Sequence, residues 1–258
     1  MDLLKFKDKI YTTEDLNLAL IALGIRQGDK LLVHTESFRF GIPFLPKVAF
    51  NQALCQALIE SCGEKGNVMI PTFTYSFCRN EVFDVLHSRS LVGNLGDSLL
   101  QLGGSRTHCP IFSFATLGSL EQELRHDYEE VLGRDCAFDT LLGYNGKIVM
   151  LGNKYVGYTF IHFLESLANV PYRFDKRFSG ILINEKGDKM HKSVIYRVRY
   201  LDRKSELDYK KIAHFLLDLG ILRVVPFGGG EIGIMETQKV AQVVLEAFKK
   251  DFGVFLSG

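Results

Sequence analysis

The sequence predicts an α/β sandwich with a central parallel or mixed sheet, helices on both faces and one antiparallel hairpin. Short apolar runs, at 30–34 (KLLVH), 67–70 (NVMI) and 147–151 (KIVML), are typical of strands buried on both faces. Segments with helical spacing of apolar residues separate these runs, and such alternation is typical of layered α/β folds. Two-residue alternation on either side of NEKGD (184–188) predicts the hairpin.

The helices are predicted from capping residues and apolar spacing. Thr12 and Asp15 form a capping box before the first helix, which ends at Gly24. Pro46 begins a second helix that ends near Gly63. Residues 74–92 are too long and irregular for a plain connection, so they are predicted to form a functional loop. Further helices are predicted over 93–102, 120–125, 158–168, 208–218 and 236–250, and further strands over 111–116 and 221–226.

Composition narrows the class of protein. The chain has 258 residues, 47% of them hydrophobic, which suits one domain spanning 1–258. With 31 Lys and Arg against 30 Asp and Glu, no basic field would bind nucleic acid. No apolar stretch is long enough for a membrane span, and the charged first twenty residues do not resemble a signal peptide. Five cysteines without a CxxC pair argue against a disulfide framework or zinc site, so we expect a cytoplasmic protein without a metal.

His162 and Glu165 are the candidate catalytic pair. They are three residues apart on a predicted helix whose neighbouring residues are apolar, so they share one face. A carboxylate there can accept from one ring nitrogen, fix the tautomer and leave the other nitrogen free as a general base. Spacing alone leaves open a polar pair that merely faces solvent. HExxH is absent, so the pair does not imply a metal.

Two predicted strands are followed by hydroxyl-rich segments. His34, Thr35, Glu36 and Ser37 follow one strand, and PTFTY (71–75) follows the next. Ligands bind at the carboxyl ends of strands in open α/β sheets, where hydroxyls could donate to a phosphate or a carbonyl. The alternative is ordinary polar loop and capping chemistry.

Three other patterns in the sequence give weaker evidence of function. A GxGxxG at Gly228, Gly230 and Gly233 lacks the following strand with its acidic residue, so a tight turn is favoured over dinucleotide binding. Cys78 and Cys109 could be acyl-enzyme nucleophiles, but bland thiols are the default. A small basic cluster, which could contact phosphates or form only a solvated turn, consists of Arg173, Lys176 and Arg177.

Five segments in order resemble the aminoglycoside 3-N-acetyltransferase superfamily. The resemblance covers roughly residues 13–180, with a looser C-terminal part. The segments are LLVHTESFRFG (31–41), VMIPTFTYSF (68–77), RTHCPIFSFATLG (106–118), KIVMLG (147–152) and YTFIHFLE (158–165).

The resemblance implies transfer of an acyl group from acyl-CoA to a sugar amine by direct attack. It implies that His162 is the general base and that Glu165 orients it. The acyl donor would be acetyl-CoA or 3-hydroxybutanoyl-CoA, without a metal. The residues expected to bind the donor are His34, Thr35, Glu36, Ser37, Thr72, Thr74, Gly93 and Ser113. The residues expected to bind the acceptor are Tyr75, Asp84, Tyr158, Tyr172 and Arg173.

Two departures from the resistance enzymes bear on the acceptor. Cys109 stands where many of them have His before the Pro, and Glu36 stands where many have Ser. Other stretches look more like members from bacterial surface-glycan clusters. The expected acceptor is therefore a nucleotide-linked amino sugar, for example a dTDP-3-amino-3,6-dideoxyhexose. The alternative is aminoglycoside 3-N-acetylation that confers antibiotic resistance.

The sequence leaves two further classes of function and one assembly open. A non-catalytic relative need not keep both His162 and Glu165, so their presence favours an enzyme. A nucleotide-binding oxidoreductase is disfavoured because the glycine motif lacks the following strand and its acidic residue. The alternating strand at 190–200 could pair across a homodimer, or its own domain could cover it.

Overall fold

The computed structural model describes residues 1–258, with a seven-stranded mixed sheet at the centre. The strands in chain order are β1 (Asp2–Phe6), β2 (Lys9–Thr12), β3 (Lys30–Thr35), β4 (Ile42–Pro43), β5 (Asn67–Pro71), β6 (Phe83–Asp84), β7 (Ser105–Arg106), β8 (Phe114–Gly118), β9 (Lys147–Leu151), β10 (Arg173–Ile183), β11 (Lys189–Arg199), β12 (Arg223–Phe227) and β13 (Gly230–Glu236). The helices are α1 (Thr13–Ala22), α2 (Lys47–Cys62), α3 (Leu95–Gln101), α4 (Ala137–Gly143), α5 (Thr159–Leu167), α6 (Tyr209–Asp218) and α7 (Thr237–Lys250).

The central sheet has the strand order β12-β13-β9-β3-β5-β8-β7. β3 runs parallel to both β5 and β9, so the carboxyl ends of these three strands meet at one edge. β8 and β13 run antiparallel to their neighbours and extend the sheet on either side. This edge is where a ligand site is expected in an open α/β sheet.

Two hydrophobic cores cover the sheet, one on each face. Helices α4 to α7 and the β10–β11 hairpin pack on one face, against side chains such as Met69 and Met150. Helices α1 to α3 and strand β1 pack on the other face, against side chains such as Val68 and Val149. Adjacent residues of one strand therefore enter opposite cores. The predicted sandwich with helices on both faces and one long hairpin is confirmed.

The β10–β11 hairpin pairs eleven residues with eleven, from Arg173 opposite Arg199 to Ile183 opposite Lys189. The predicted turn at 184–188 is confirmed, with Asn184 Oδ1 accepting from the backbone N–H groups of Lys186 and Asp188. A bridge between Glu130 and Ile195 covers part of the outer edge of β11. Pairing of this edge across a homodimer stays a prediction.

Several local expectations differ from the structure. The strand predicted at 111–116 forms at 114–118, and the helix predicted at 120–125 is a 3-10 turn at Glu123–Arg125. The glycine motif is a tight turn, as expected, but it belongs to a hairpin: Gly228 lies in the turn, while Gly230 and Gly233 lie in β13. The sequence analysis missed β13 because glycines weaken a strand pattern. No helix of the structure is both long and apolar enough to cross a bilayer.

Candidate active site

Helix α5 places His162 and Glu165 one turn apart in direct contact. Nδ1 of His162 lies 2.5 Å from Oε2 of Glu165. The Glu165 side chain has no exposed area, whereas the His162 side chain is 17% exposed. Since Nδ1 donates to the carboxylate, Nε2 is the nitrogen that remains free to take a proton. The alternative of a solvent-facing polar pair does not fit a carboxylate that is fully buried.

Arg173, the first residue of β10, completes a buried group of three. Its Nε lies 2.8 Å from Oε2 of Glu165, and its side chain is 4% exposed. Its Nη2 also lies 3.0 Å from Nδ1 of His162. An Nδ1 that carries a proton cannot accept a hydrogen bond from Arg173. The attraction that matters is therefore the one between Arg173 and Glu165.

The charge state of Glu165 follows from these contacts. Burial raises the pKa of the carboxyl, but the hydrogen bond from His162 and the charges of His162 and Arg173 outweigh burial and lower it overall. Glu165 is therefore ionised, as its predicted role of orienting His162 requires. The buried hydroxyl of Tyr172 lies close to this carboxylate, and its own pKa is raised by burial and then by the Glu165 charge.

A cavity of about 880 Å³ opens beside His162. We call it the hairpin cavity because one face of the β10–β11 hairpin forms its wall, where Lys176 lies opposite Tyr196. The lining residues are His162, Arg173, Phe174, Lys176, Phe178, Tyr196, Val198, Arg199, Tyr200, Leu201, Asp202, Ser205, Glu206, Leu207 and Tyr209.

The charges of the hairpin cavity are unevenly paired. Its carboxylates are paired with arginines, Glu206 with Arg199 and Asp202 with Arg203. Lys176 has no carboxylate partner, and its ammonium lies 5.0 Å from the centre of the Phe178 ring. The cavity thus combines an aromatic wall with one free cation.

A second cavity of about 230 Å³, the strand-end cavity, lies where β3 and β5 end. His34, Thr35, Glu36 and Tyr75 line it, as does Thr159 from the first turn of α5. Nε2 of His34 is buried without a hydrogen-bond partner. Burial lowers the pKa of His34 from its ordinary 6.5 to about 4, so the imidazole is neutral at pH 7.

A third cavity of about 460 Å³, the loop cavity, adjoins the strand-end cavity through the shared residues Thr35, Glu36 and Leu95. Ser37 and Gly93 also line it. The structure therefore brings five of the eight predicted donor-binding residues to two neighbouring cavities, and their role in binding acyl-CoA stays a prediction. Those five are His34, Thr35, Glu36, Ser37 and Gly93.

The other three predicted donor-binding residues, Thr72, Thr74 and Ser113, are buried and bonded within the protein. Oγ of Ser113 donates to the backbone oxygen of Thr72 at 2.7 Å, and Oγ1 of Thr74 donates to that of Pro110 at 3.0 Å. The buried Arg106 donates to Oγ1 of Thr72 and to Oγ of Ser113 at 3.1 and 3.2 Å. These hydroxyls line none of the three cavities, because they form the internal hydrogen bonds of the strand exits.

The predicted acceptor-binding residues are divided. Arg173 lines the hairpin cavity, and Tyr75 lines the strand-end cavity. Asp84 instead accepts from the backbone N–H groups of Leu86 and His87 in a local turn. Tyr158 is buried and donates to the backbone oxygen of Lys154 at 2.8 Å. Tyr172, described above, is buried beside Glu165 and lines none of the three cavities.

The two candidate cysteines and the nearby His108 are engaged in other ways. Burial raises the pKa of Cys78 to about 11 and also raises that of Cys109, so both thiols stay protonated at neutral pH. His108 binds Glu185 at 2.9 Å. No group of three or more His, Cys, Asp or Glu side chains is placed to hold a metal ion.

Sequence reasoning missed most of the hairpin cavity. Phe174, Lys176 and Phe178 alternate along β10, and Tyr196 and Val198 alternate opposite them. This alternation of aromatic and basic residues on one face was visible in the sequence. The alternation predicts a hairpin, but nothing in it indicates that this face turns toward His162.

Comparison with known proteins identifies the family. A sequence model of the aminoglycoside 3-N-acetyltransferase family matches residues 32–249. The chain therefore belongs to this family, and the superfamily resemblance is confirmed. Aminoglycoside N(3)-acetyltransferase VII from Streptomyces paromomycinus is 26% identical over 198 residues, covering 68% of this chain and 66% of that protein. The chain thus spans about two thirds of the length of this relative.

Solved structures share the fold across nearly the whole chain. AAC-VIa bound to sisomicin is 20% identical, has a TM-score of 0.79, and matches over 93% of this chain and 98% of that one. AAC-IIIb in a binary complex with CoASH is 21% identical, has a TM-score of 0.77, and matches over 93% and 97%. The narrower resemblance to surface-glycan enzymes is not supported by these matches.

Proposed function

We propose that residues 1–258 act as one N-acetyltransferase domain that moves an acetyl group from acetyl-CoA to an amine of an amino sugar. The observation that carries this proposal is the contact between His162 and the buried, ionised Glu165 at the edge of a large cavity. A histidine whose tautomer is fixed by a carboxylate and whose other nitrogen is free is suited to general-base catalysis.

The reaction is a direct attack. The amine nitrogen attacks the thioester carbonyl carbon while Nε2 of His162 takes the proton that the nitrogen loses. The bond from carbonyl carbon to sulfur then breaks, CoA leaves as the thiolate, and the imidazolium can return its proton to the sulfur. Glu165 stabilises the imidazolium between these steps.

The donor and acceptor are assigned to different cavities. Acetyl-CoA would occupy the strand-end and loop cavities, where β3 and β5 end, and the amino sugar would occupy the hairpin cavity. Thr159 lines the strand-end cavity, and His162, one turn later on α5, lines the hairpin cavity. Residues three apart on a helix are about 5–6 Å apart at Cβ, so the acetyl group and the amine can meet beside His162.

Family membership and the relatives favour an aminoglycoside as the acceptor. A nucleotide-linked amino sugar is the second candidate, and the charge of the hairpin cavity favours it. Aminoglycosides carry several positive charges and should be attracted to free carboxylates. Here both Asp202 and Glu206 are paired with arginines, whereas Lys176 is free and would attract a phosphate.

The test is CoA release followed with a thiol reagent. Acetyl-CoA and 3-hydroxybutanoyl-CoA are each combined with an aminoglycoside and with a dTDP-3-amino sugar. We expect turnover with acetyl-CoA and one of the two acceptors, and the active acceptor decides between the candidates. Turnover with neither acceptor would contradict the proposed function.

A Lys176→Glu variant provides a matched test of the acceptor. If the acceptor is nucleotide-linked, reversing this charge should raise its KM by at least tenfold, with little change in the KM for acetyl-CoA. If the acceptor is an aminoglycoside, the same substitution should lower its KM. Arg177→Glu is the control because Arg177 pairs with Glu129 outside the cavity.

A further inference from the structure

The thioester carbonyl needs a hydrogen-bond donor during the proposed reaction. When the amine attacks, negative charge develops on the carbonyl oxygen, and a preorganised donor that stabilises this charge accelerates the step. Three hydroxyls that follow β5 or precede β8 are already engaged within the protein. Oγ of Ser113 and Oγ1 of Thr74 donate to backbone oxygens, and Oγ1 of Thr72 accepts from Arg106.

The backbone N–H groups that follow β3 are also bonded. The N–H of Glu36 donates to the backbone oxygen of Leu151 at 2.7 Å, and the N–H of Ser37 donates to Oγ1 of Thr35 at 3.1 Å. These two backbone groups are therefore not free to serve as the donor.

His34 is a polar side chain of the strand-end cavity that lacks a partner. It lies near the carboxyl end of β3, lines this cavity, and keeps its Nε2 buried without a hydrogen-bond partner. Buried polar nitrogens are nearly always bonded, so an orphan beside an open cavity points to a ligand atom that supplies the missing partner.

Close packing holds the His34 ring in place. Gly157 lies against it, and a Cβ at position 157 would come within 2.9 Å of a ring carbon. Gly157 also has a φ of +85°, which glycine adopts without strain. The ring is thus fixed in the cavity wall before any ligand arrives, as a donor to a transition state should be.

We propose that His34, as a neutral imidazole, donates a ring N–H hydrogen bond to the carbonyl oxygen of the acyl-CoA thioester. No proton is transferred from His34. It stabilises the oxyanion while nitrogen bonds to the carbonyl carbon, sulfur leaves with the electron pair of the broken bond, and His162 takes the proton of the amine. The inference rests on the proposed acetyl transfer and adds a second catalytic histidine with a different role.

The low pKa of His34 supports this role. A histidine whose pKa is about 4 stays neutral at physiological pH, so it is suited to donating a hydrogen bond to a carbonyl oxygen. His162 and His34 thus divide the work. His162 accepts the proton of the amine, and His34 stabilises the negative charge on the carbonyl oxygen.

The deciding experiment is isotope-edited infrared spectroscopy of acetyl-CoA labelled with carbon-13 at the carbonyl, bound to the whole protein without an acceptor. In the wild type we expect the carbonyl stretch at a lower frequency than in free acetyl-CoA. His34→Leu should return it toward the free value, and His34→Gln, which keeps an N–H donor, should lie between. The kcat of His34→Leu should fall about 10²–10³-fold, with the KM for acetyl-CoA within about threefold. His191→Leu, at an exposed hairpin position, should change neither quantity.

Three outcomes overturn the inference. A wild-type carbonyl stretch that matches free acetyl-CoA contradicts it directly, even if His34→Leu does not fold. A lowered stretch that persists in His34→Leu assigns the donor to another group. Acetyl-CoA that fails to bind the wild type contradicts the proposed function as well, and this separates the two failures.

Discussion

The Nε atom of Arg173 lies 2.8 Å from Oε2 of Glu165, and both side chains are almost completely removed from solvent. Taking two charges out of water is costly, and only their mutual attraction and hydrogen bonds repay that cost. Arg173 also begins β10, so the same residue joins the ionised orienting group of His162 to the wall of the hairpin cavity. The orientation of His162 and the wall of the hairpin cavity therefore depend on one ion pair.

Loss of Arg173 should destabilise the protein strongly. Arg173→Leu leaves the Glu165 carboxylate buried without its cation, so we expect the free energy of unfolding to fall by about 3–5 kcal/mol. Urea unfolding measures this. Arg177→Leu is the control, since Arg177 and Glu129 are each 56% exposed and the loss should be within about 1 kcal/mol. Equal losses in the two variants would show that the buried pair has no special weight.

Loss of His162 should slow turnover strongly while leaving the fold intact. The side chain is partly exposed and supplies the free Nε2, so His162→Gln should lower kcat by about 10²–10⁴-fold without a comparable change in unfolding. Steady-state kinetics and circular dichroism measure the two properties. An unchanged kcat would exclude His162 as the base.

Arg106 should be a stability determinant. Burial lowers its pKa to about 10, and its Nη2 donates to the backbone oxygen of Thr72 at 2.6 Å. Arg106→Leu removes this donor from the oxygens of Thr72 and Ser88, and only the first keeps a second donor, Oγ of Ser113. We therefore expect the free energy of unfolding to fall by roughly 1–3 kcal/mol. Chemical unfolding of this variant beside Arg89→Leu, which changes an exposed arginine, tests the expectation. Equal midpoints and slopes would contradict it.

His34 should make stability depend on pH in a defined window. Its folded pKa is about 4 and its ordinary value is 6.5, so between these values the unfolded chain binds more protons. The contribution of His34 to the free energy of unfolding is therefore fully present above pH 6.5. It is lost as pH falls toward 4, by about 3 kcal/mol in total. Unfolding free energies at half-unit pH steps should show a shallower loss for His34→Gln. A variant curve parallel to that of the wild type would contradict this origin of the pH dependence.

Gly228 should resist substitution. Its φ is +59°, and a Cβ there would lie 2.0 Å from the backbone oxygen of Phe40. Gly187 in the turn of the long hairpin also has a positive φ, +85°, but open space around it. We expect Gly228→Ala to lower the thermal midpoint several degrees more than Gly187→Ala, because only the first adds a backbone clash to the conformational strain. Similar thermal midpoints for the two variants would contradict the expected clash with the backbone of Phe40.

The sequence predicts secondary structure best where a periodic pattern of apolar residues is long or where turn residues bound an apolar run. β9 at 147–151 and the hairpin turn at 184–188 formed where expected. β13 was missed because Gly230 and Gly233 weaken its pattern. Local periodicity carries no information about the spatial neighbours that glycine-containing strands find.

The contacts of the candidate site also fall into those that the sequence indicates and those that depend on tertiary structure. The contact between His162 and Glu165 is consistent with helical spacing, since side chains three apart on a helix can meet. Arg173 was expected on the acceptor side, but its ion pair with Glu165 depends on a tertiary approach of β10 to α5. Thr72 and Ser113 occupy the predicted edge of the sheet, yet Arg106 engages their hydroxyls, and a buried arginine leaves no local trace in sequence.

The wall of the hairpin cavity lies outside the central sheet, and this bears on how members of the family can diverge. On the proposed assignment, acetyl-CoA is held by the ends of central strands, while the acceptor is held by a hairpin that belongs to a separate three-stranded sheet. Substitutions at positions such as Lys176 and Tyr196 leave every strand pairing of the central sheet intact. New acceptors can therefore be gained by altering one face of this hairpin, without altering the strand ends that are assigned to the donor.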